Sequence, residues 1–80
     1  MLRIKLKNII AQREFENGTR ITITDIAEST GINRMTLSKM ANHRGYSTRT
    51  DNLDKLCAFF NCQIEDLIEY VPDDQVSVSD

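Results

Sequence analysis

The sequence predicts an all-α protein folded as a compact bundle of five short helices. Three observations lead to this prediction. Apolar residues recur at helical spacing in five segments, residues typical of helix starts and ends separate those segments, and 40% of the 80 residues are hydrophobic. A chain of this length fits one small domain. We expect that domain to span residues 1–72, followed by an acidic, flexible tail over residues 73–80. The VSVS segment of this tail could instead pair as a strand across a dimer.

The first helix is predicted over residues 3–14. Its apolar residues follow helical spacing, and polar residues lie between them: Leu2, Leu6, Ile9 and Ile10. The Asn17-Gly18 pair comes shortly afterwards and tolerates a left-handed backbone, which predicts where the helix ends.

The second helix is predicted over residues 23–29. Thr22 and Asp25 have the spacing of a capping box, in which each side chain bonds to the backbone N–H of the other residue. Asp25 also suits the positive end of the helix dipole. Gly31 follows as the helix breaker, because a residue without a side chain fits a sharp reversal.

The third helix is predicted over residues 33–41, with Asn33 as its N-cap. Leu37 and Met40 form its core face, which leaves an exposed face made of Arg34, Met35, Ser38 and Lys39. Two short helices joined by a tight turn are the layout of a helix-turn-helix. The second helix of that motif enters the major groove of DNA.

A polar loop and two further helices complete the predicted bundle. The fourth helix is predicted over residues 51–60 with Thr50 or Asp51 as its cap, and the fifth over residues 64–70. The predicted buried stripes of these two helices contain Leu53, Leu56, Cys57, Phe60, Ile64, Leu67 and Ile68. Pro72 stops the fifth helix.

The net charge of −2 conceals a strong asymmetry along the chain. Residues 1–50 carry nine Lys or Arg and four acids, whereas residues 51–80 carry one Lys and eight acids. No acid occurs over residues 29–50, which hold four of the basic residues. A local basic patch of this kind attracts a phosphate backbone even when the whole chain is acidic.

Several classes of function are disfavoured by the composition. The lone His43 has no acid close in sequence, so we expect no enzymatic activity. The two cysteines, spaced C-x4-C, supply too few ligands for a zinc site, and we expect reduced thiols and neither a metal nor a cofactor. The sequence has no run of about 20 apolar residues and no signal peptide, so we expect a cytoplasmic protein that does not bind membranes.

The motif segments are similar to a known family. DIAESTGINRMTLSKM (residues 25–40) resembles the helix-turn-helix of the Cro/lambda-repressor family, the bacterial and phage regulators often called XRE-like. LDKLCAFFNCQIEDLIEYVP (residues 53–72) is similar to a subgroup of small stand-alone members. The resemblance covers about residues 2–74. It implies a lambda-repressor-like DNA-binding domain acting as a sequence-specific regulator of transcription, typically a repressor.

This resemblance implies roles for individual residues. The base-contacting set on the helix over residues 33–41 is Arg34, Met35, Thr36, Ser38 and Lys39. The phosphate-contacting set is Thr22, Thr24, Asn33, Asn42, His43, Arg44 and Arg49. Because family-like proteins read half-sites about 34 Å apart as two-fold dimers, we also expect a homodimer. Its interface set is Phe59, Ile64, Tyr70 and Val71.

The chain departs from the family pattern at three places. Ile23 stands where the family often has a glutamine that supports phosphate binding. Arg13 is present, but Ala41 occupies the position of the glutamate with which it often pairs. The connection over residues 15–21 is also slightly long.

A second function remains open on the sequence alone. The same fold can serve as a protein-interaction module, such as an antitoxin or an accessory subunit, and the acidic last third of the chain fits a basic partner. The acid-free segment over residues 29–50 favours DNA, because a module that binds only protein has no need of it.

Overall fold

The computed structural model describes residues 1–72. In chain order, the elements are β1 (Leu2–Ile4), α1 (Leu6–Asn17), α2 (Ile23–Thr30), α3 (Arg34–Asn42), α4 (Thr50–Phe60), α5 (Ile64–Leu67) and β2 (Ile68–Tyr70). The predicted all-α bundle of five helices is confirmed for this part of the chain. A small sheet that the sequence analysis did not predict accompanies it. The prediction of a flexible tail over residues 73–80 lies outside the described residues.

A single apolar core joins all five helices. The core contains Leu6, Ile9, Ile26, Ile32, Leu37, Met40, Leu56, Phe60 and Leu67, each at most 5% exposed. Removing one such side chain from water stabilises the fold by about 1.5 to 3 kcal/mol. Because α2 and α3 both contribute to this core, their relative orientation is fixed by its packing.

The sheet joins the two ends of the described chain. Leu2, Arg3 and Ile4 pair antiparallel with Tyr70, Glu69 and Ile68, respectively. The backbone N–H of Val71 donates to the Met1 carbonyl oxygen at 2.8 Å, and the Met1 amino group donates to the Val71 carbonyl oxygen at 2.8 Å. Two predictions are therefore wrong in part: the helix expected over 3–14 starts at Leu6, and the helix expected over 64–70 stops at Leu67.

These boundaries also change which side chains are buried. Leu2, predicted on the core face of a helix, lies in β1 and is 59% exposed, and Ile64, predicted to be buried, is 46% exposed. Cys57, predicted in the core, is half-buried at its edge. The predicted cap of the fourth helix is wrong as well. Arg49 is its N-cap residue, and no side chain caps it.

The start of α2 and the turn before α3 are built as predicted. The Thr22 backbone N–H donates to Asp25 Oδ2 at 3.0 Å, and the Asp25 backbone N–H donates to Thr22 Oγ1 at 3.1 Å. Hydrogen bonds to the Thr22 backbone N–H, which has the larger effect, and to the Thr22 hydroxyl hold the pKa of the Asp25 carboxyl below its usual value. At the other end of α2, Gly31 has φ of 79°, in the left-handed region.

Replacing Gly31 should destabilise the domain through backbone strain alone. A Cβ at this position would meet no atom within 4 Å, so crowding contributes nothing. We expect Gly31→Ala to lower the free energy of unfolding by about 1 to 2 kcal/mol, measured by urea denaturation. Gly31→Asn should lose less, because asparagine tolerates the left-handed region better. Equal stability of wild type and Gly31→Ala would contradict the assigned conformation.

Candidate nucleic-acid interface

The exposed side of α3 is fixed by the residues that α3 buries. Leu37 is fully buried and Met40 is 2% exposed, so this side of the helix is held against the core. Before the helix, Ile32 is buried, and Asn33 Oδ1 accepts the backbone N–H of Met35 at 2.7 Å as the predicted N-cap. Rotation of α3 about its axis would expose this apolar surface, so the outward side is determined.

Four of the five residues predicted to contact bases lie on that outward side. Arg34, Met35, Ser38 and Lys39 are exposed, and we refer to these four residues as the α3 face. Met35 is 67% exposed, so its side chain is available for an apolar contact. Thr36, the fifth predicted residue, is only half-exposed and lies towards the edge of this surface.

The cations of the α3 face are available for an external anion. Within residues 1–72, neither the Arg34 guanidinium nor the Lys39 ammonium takes part in an ion pair. Arginine and lysine can both donate to the O6 and N7 acceptors of guanine in the major groove. A methionine beside them can contact the methyl group of thymine.

The start of α2 lies against the same surface. Ile23 and Thr24 line an open groove of about 450 Å³ together with Arg34, Met35 and Ser38. The first N–H groups of a helix point outward and, with the helix dipole, favour an anion. The Thr22 N–H is already occupied by Asp25, so Thr22 can offer only its hydroxyl to a phosphate.

The predicted phosphate-contacting residues at the end of α3 and after it are exposed, but several already have partners. The Asn42 Nδ2 group donates to the Ser38 carbonyl oxygen at 2.9 Å. The His43 ring meets the edge of Tyr46, with ring centroids 5.9 Å apart. Arg49 Nε donates to Asp51 Oδ1 at 3.0 Å, in a pair exposed to solvent. A surface pair of this kind is worth about 0 to 1 kcal/mol, so a phosphate can displace it.

Three basic residues that the sequence analysis did not assign to the site lie beside it. Lys7 and Arg20 line a groove of about 360 Å³ that also contains Thr22 and Asn42. Arg3 lines a second groove, of about 410 Å³, with His43 and Arg44. Their charge was visible in the sequence, but the positions of Lys7 and Arg3 depend on how α1 and β1 pack, which no local pattern encodes. Arg20 lies two residues before Thr22 in the connection to α2.

The departures from the family pattern have local structural solutions. Ala41 occupies the position of the glutamate with which Arg13 was expected to pair. Arg13 instead donates from Nε to the Phe60 carbonyl oxygen at 3.2 Å and forms an ion pair with Glu16 at 3.0 Å. It therefore joins the ends of α1 and α4. The connection between α1 and α2 is shorter than predicted because α1 extends to Asn17. Within it, the Ile21 backbone N–H donates to the Glu14 side chain at 2.8 Å.

The residues predicted to form a dimer interface lie on α4, α5 and β2 and just after β2. Ile64 is 46% exposed and Tyr70 is 68% exposed, whereas Phe59 and Val71 are half-buried. Phe59 packs edge-on against Phe60, with ring centroids 4.9 Å apart. Leu2 lies directly opposite Tyr70 in the sheet, and it adds a further exposed apolar side chain.

The described residues carry neither a metal-ligand cluster nor a membrane-spanning helix. Among residues 1–72, no group of three or more His, Cys, Asp or Glu side chains is arranged to hold a metal ion. No helix among the described residues has both the length and the apolar character needed to cross a bilayer.

Comparison with known proteins gave two matches. The family model described as Cro/C1-type HTH DNA-binding domain matches residues 5–73. An uncharacterized HTH-type transcriptional regulator of Bacillus subtilis strain 168, YozG, is 29% identical over 55 residues. That alignment covers 69% of this chain and 66% of the relative, which is just under two thirds of the relative's length.

Proposed function

This chain belongs to the Cro/C1-type helix-turn-helix DNA-binding family, and we propose that it represses transcription by inserting α3 into the major groove of a specific duplex sequence. The observation that carries the proposal is the α3 face: Arg34 and Lys39 are exposed and free of ion pairs within residues 1–72, beside the start of α2. Since a regulator of this kind acts on DNA, we propose that it is located in the cytoplasm.

The two proposed sets of contacts act differently. Side chains of the α3 face read base edges and so determine which sequence is bound. The start of α2 and the loop after α3 contact phosphates, which fix orientation and register without reading sequence. Lys7 and Arg20 extend the phosphate-contacting surface, because they share a groove with Thr22 and Asn42.

We propose that the protein binds as a homodimer. A single domain of this size offers a small interface to DNA, and two copies can read two half-sites. The exposed Ile64 and Tyr70 support a contact through α5 and β2. Light scattering over a concentration series, with and without DNA, should show the dimer. A strict monomer under both conditions would contradict it.

The proposed function is tested by selecting bound fragments from random duplex DNA and then measuring affinity at several salt concentrations. We expect one short motif to be enriched. The logarithm of the binding constant should fall linearly with the logarithm of salt concentration, by about 0.9 per phosphate contacted. No enriched motif and no salt dependence would instead favour the protein-interaction module as the function of this fold.

Removing a phosphate contact should weaken binding to every sequence similarly. We expect Arg44→Ala and Arg49→Ala each to reduce affinity for the selected site and for unrelated DNA by the same factor, and to flatten the salt slope by about one unit. Lys55→Ala is the matched control, because it removes an exposed cation of α4 outside the proposed interface. A loss confined to the selected site would show that these arginines read bases instead.

A further inference from the structure

The end of α4 has the hydrogen bonds of a Schellman motif. Asn61 adopts the left-handed conformation with φ of 52°, and its N–H donates to the Ala58 carbonyl oxygen at 3.3 Å. The Cys62 N–H donates to the Cys57 carbonyl oxygen at 3.0 Å. In this motif, the residue after the left-handed position commonly contacts the residue to which it bonds across the turn. Here those two residues are the chain's two cysteines.

The hydrogen bond sets an upper limit on the separation of the two cysteines. The Cys62 nitrogen and the Cys57 oxygen are 3.0 Å apart. Adding the N–Cα bond of about 1.5 Å and the O···Cα separation of about 2.4 Å puts the two Cα atoms within about 6.9 Å. Disulfides span about 4.4 to 6.8 Å between Cα atoms, and a pair beyond about 7 Å, or one whose Cβ atoms point apart, requires movement of the backbone. The Cys57 and Cys62 side chains approach each other, since a hydrogen bond between the two thiols contributes to the raised pKa of Cys62.

Both thiols are accessible to small reagents. Cys57 and Cys62 are free and half-buried, and they line an open cavity of about 530 Å³ at the junction of α4 and α5. Ile64 and Asp54 line the same cavity. A small disulfide reagent can therefore enter the cavity beside the two cysteines without unfolding of the domain.

The surroundings of the pair disfavour negative charge. Burial is the largest cause of a raised pKa at the Cys62 thiol, and the neighbouring Cys57 thiol is the next. Asp66 also raises this pKa, whereas Arg13 lowers it. A disulfide carries no charge, so surroundings that disfavour the thiolates do not disfavour the disulfide.

We propose that Cys57 and Cys62 form a redox-modifiable dithiol site that closes to an intramolecular disulfide by exchange with a low-molecular-weight disulfide such as oxidised glutathione. One cysteine thiolate attacks the reagent, which releases one glutathione and leaves a mixed disulfide on the protein. The second thiolate attacks the protein sulfur of that mixed disulfide and displaces the second glutathione. The dithiol is oxidised, the reagent disulfide is reduced, and the two thiol protons pass to the released glutathiones.

The site lies outside the proposed DNA-contacting surface, because none of its residues belongs to α2, α3 or the loop after α3. The new bond would tie the last turn of α4 to the connection that leads into α5. It would therefore restrain the segment that carries Ile64, which belongs to the proposed dimer contact.

The test is an equilibrium titration of the full chain with defined ratios of reduced to oxidised glutathione, followed by acid quenching and mass spectrometry. We expect the folded chain to lose the mass of two hydrogen atoms. Half-conversion should require at least tenfold less oxidised glutathione than for the same chain in concentrated urea, because the fold holds the thiols together. Cys57→Ser and Cys62→Ser should each gain one glutathione and stop there.

Three results would overturn the inference: a chain carrying two glutathiones, a disulfide formed only between two chains, or equal half-conversion in the folded and urea-unfolded states. Circular dichroism of both serine variants checks that they fold. The comparison of folded and unfolded wild type decides the matter even if a variant does not fold.

Discussion

Leu37→Ala is expected to lower the free energy of unfolding by about 2 to 5 kcal/mol. Leu37 is fully buried in the core, at 0% solvent exposure, so shortening its side chain removes buried apolar surface and leaves a cavity. A domain of this length has about 4 to 12 kcal/mol of total stability, so the variant should be close to unfolding at moderate temperature. Urea denaturation followed by circular dichroism measures the change.

Ser38→Ala is the matched control for this variant. Ser38 is the next residue of α3 and is exposed, so its replacement should change the unfolding free energy by about 0.5 kcal/mol or less. If Leu37→Ala were as stable as Ser38→Ala, α3 would not be held by its buried side and the assignment of the α3 face would fail.

Arg34→Ala and Lys39→Ala are each expected to weaken binding to the selected DNA site by about 1 to 3 kcal/mol. Each change removes a donor to base edges, so discrimination should relax at one base position while binding to unrelated DNA changes little. Affinities for the selected site and for a panel of single-base variants of that site measure both effects.

Stability provides the internal check on these two variants. Both side chains are exposed and lack ion pairs within residues 1–72, so neither change should shift the unfolding midpoint measurably. Arg49→Ala gives the contrasting pattern of a uniform loss across sequences. If both variants fold and bind DNA as tightly and selectively as the wild type does, α3 is not the helix that contacts the bases.

The local structure of the proposed interface could be predicted well where short-range rules define it. Thr22 and Asp25 lie three residues apart and form a capping box from their own backbone and side-chain groups. Asn33 caps α3 in the same local way. With Leu37 and Met40 buried, the spacing of α3 alone separates its core side from its exposed side. Each of these features depends on contacts within a few residues.

The sheet and the flanking cations could not be predicted in this way. Leu2 pairs with Tyr70, which lies at the other end of the described chain, and no signal near Leu2 indicates that partner. The spacing of Leu2 with Leu6 also fits a helix, and a three-residue strand is too short to show alternation. For the same reason, the position of Lys7 beside Thr22 required the packed helices.

The amino-acid order by itself determined the helical class, the turn at Gly31 and the outward side of α3, because each follows from helix periodicity, capping and backbone freedom at neighbouring positions. Only the tertiary structure decided where α1 begins, where α5 stops and which distant cations border the proposed reading helix. Those outcomes depend on the free energy of pairing segments far apart in the chain, and periodicity within one segment carries no information about its partner.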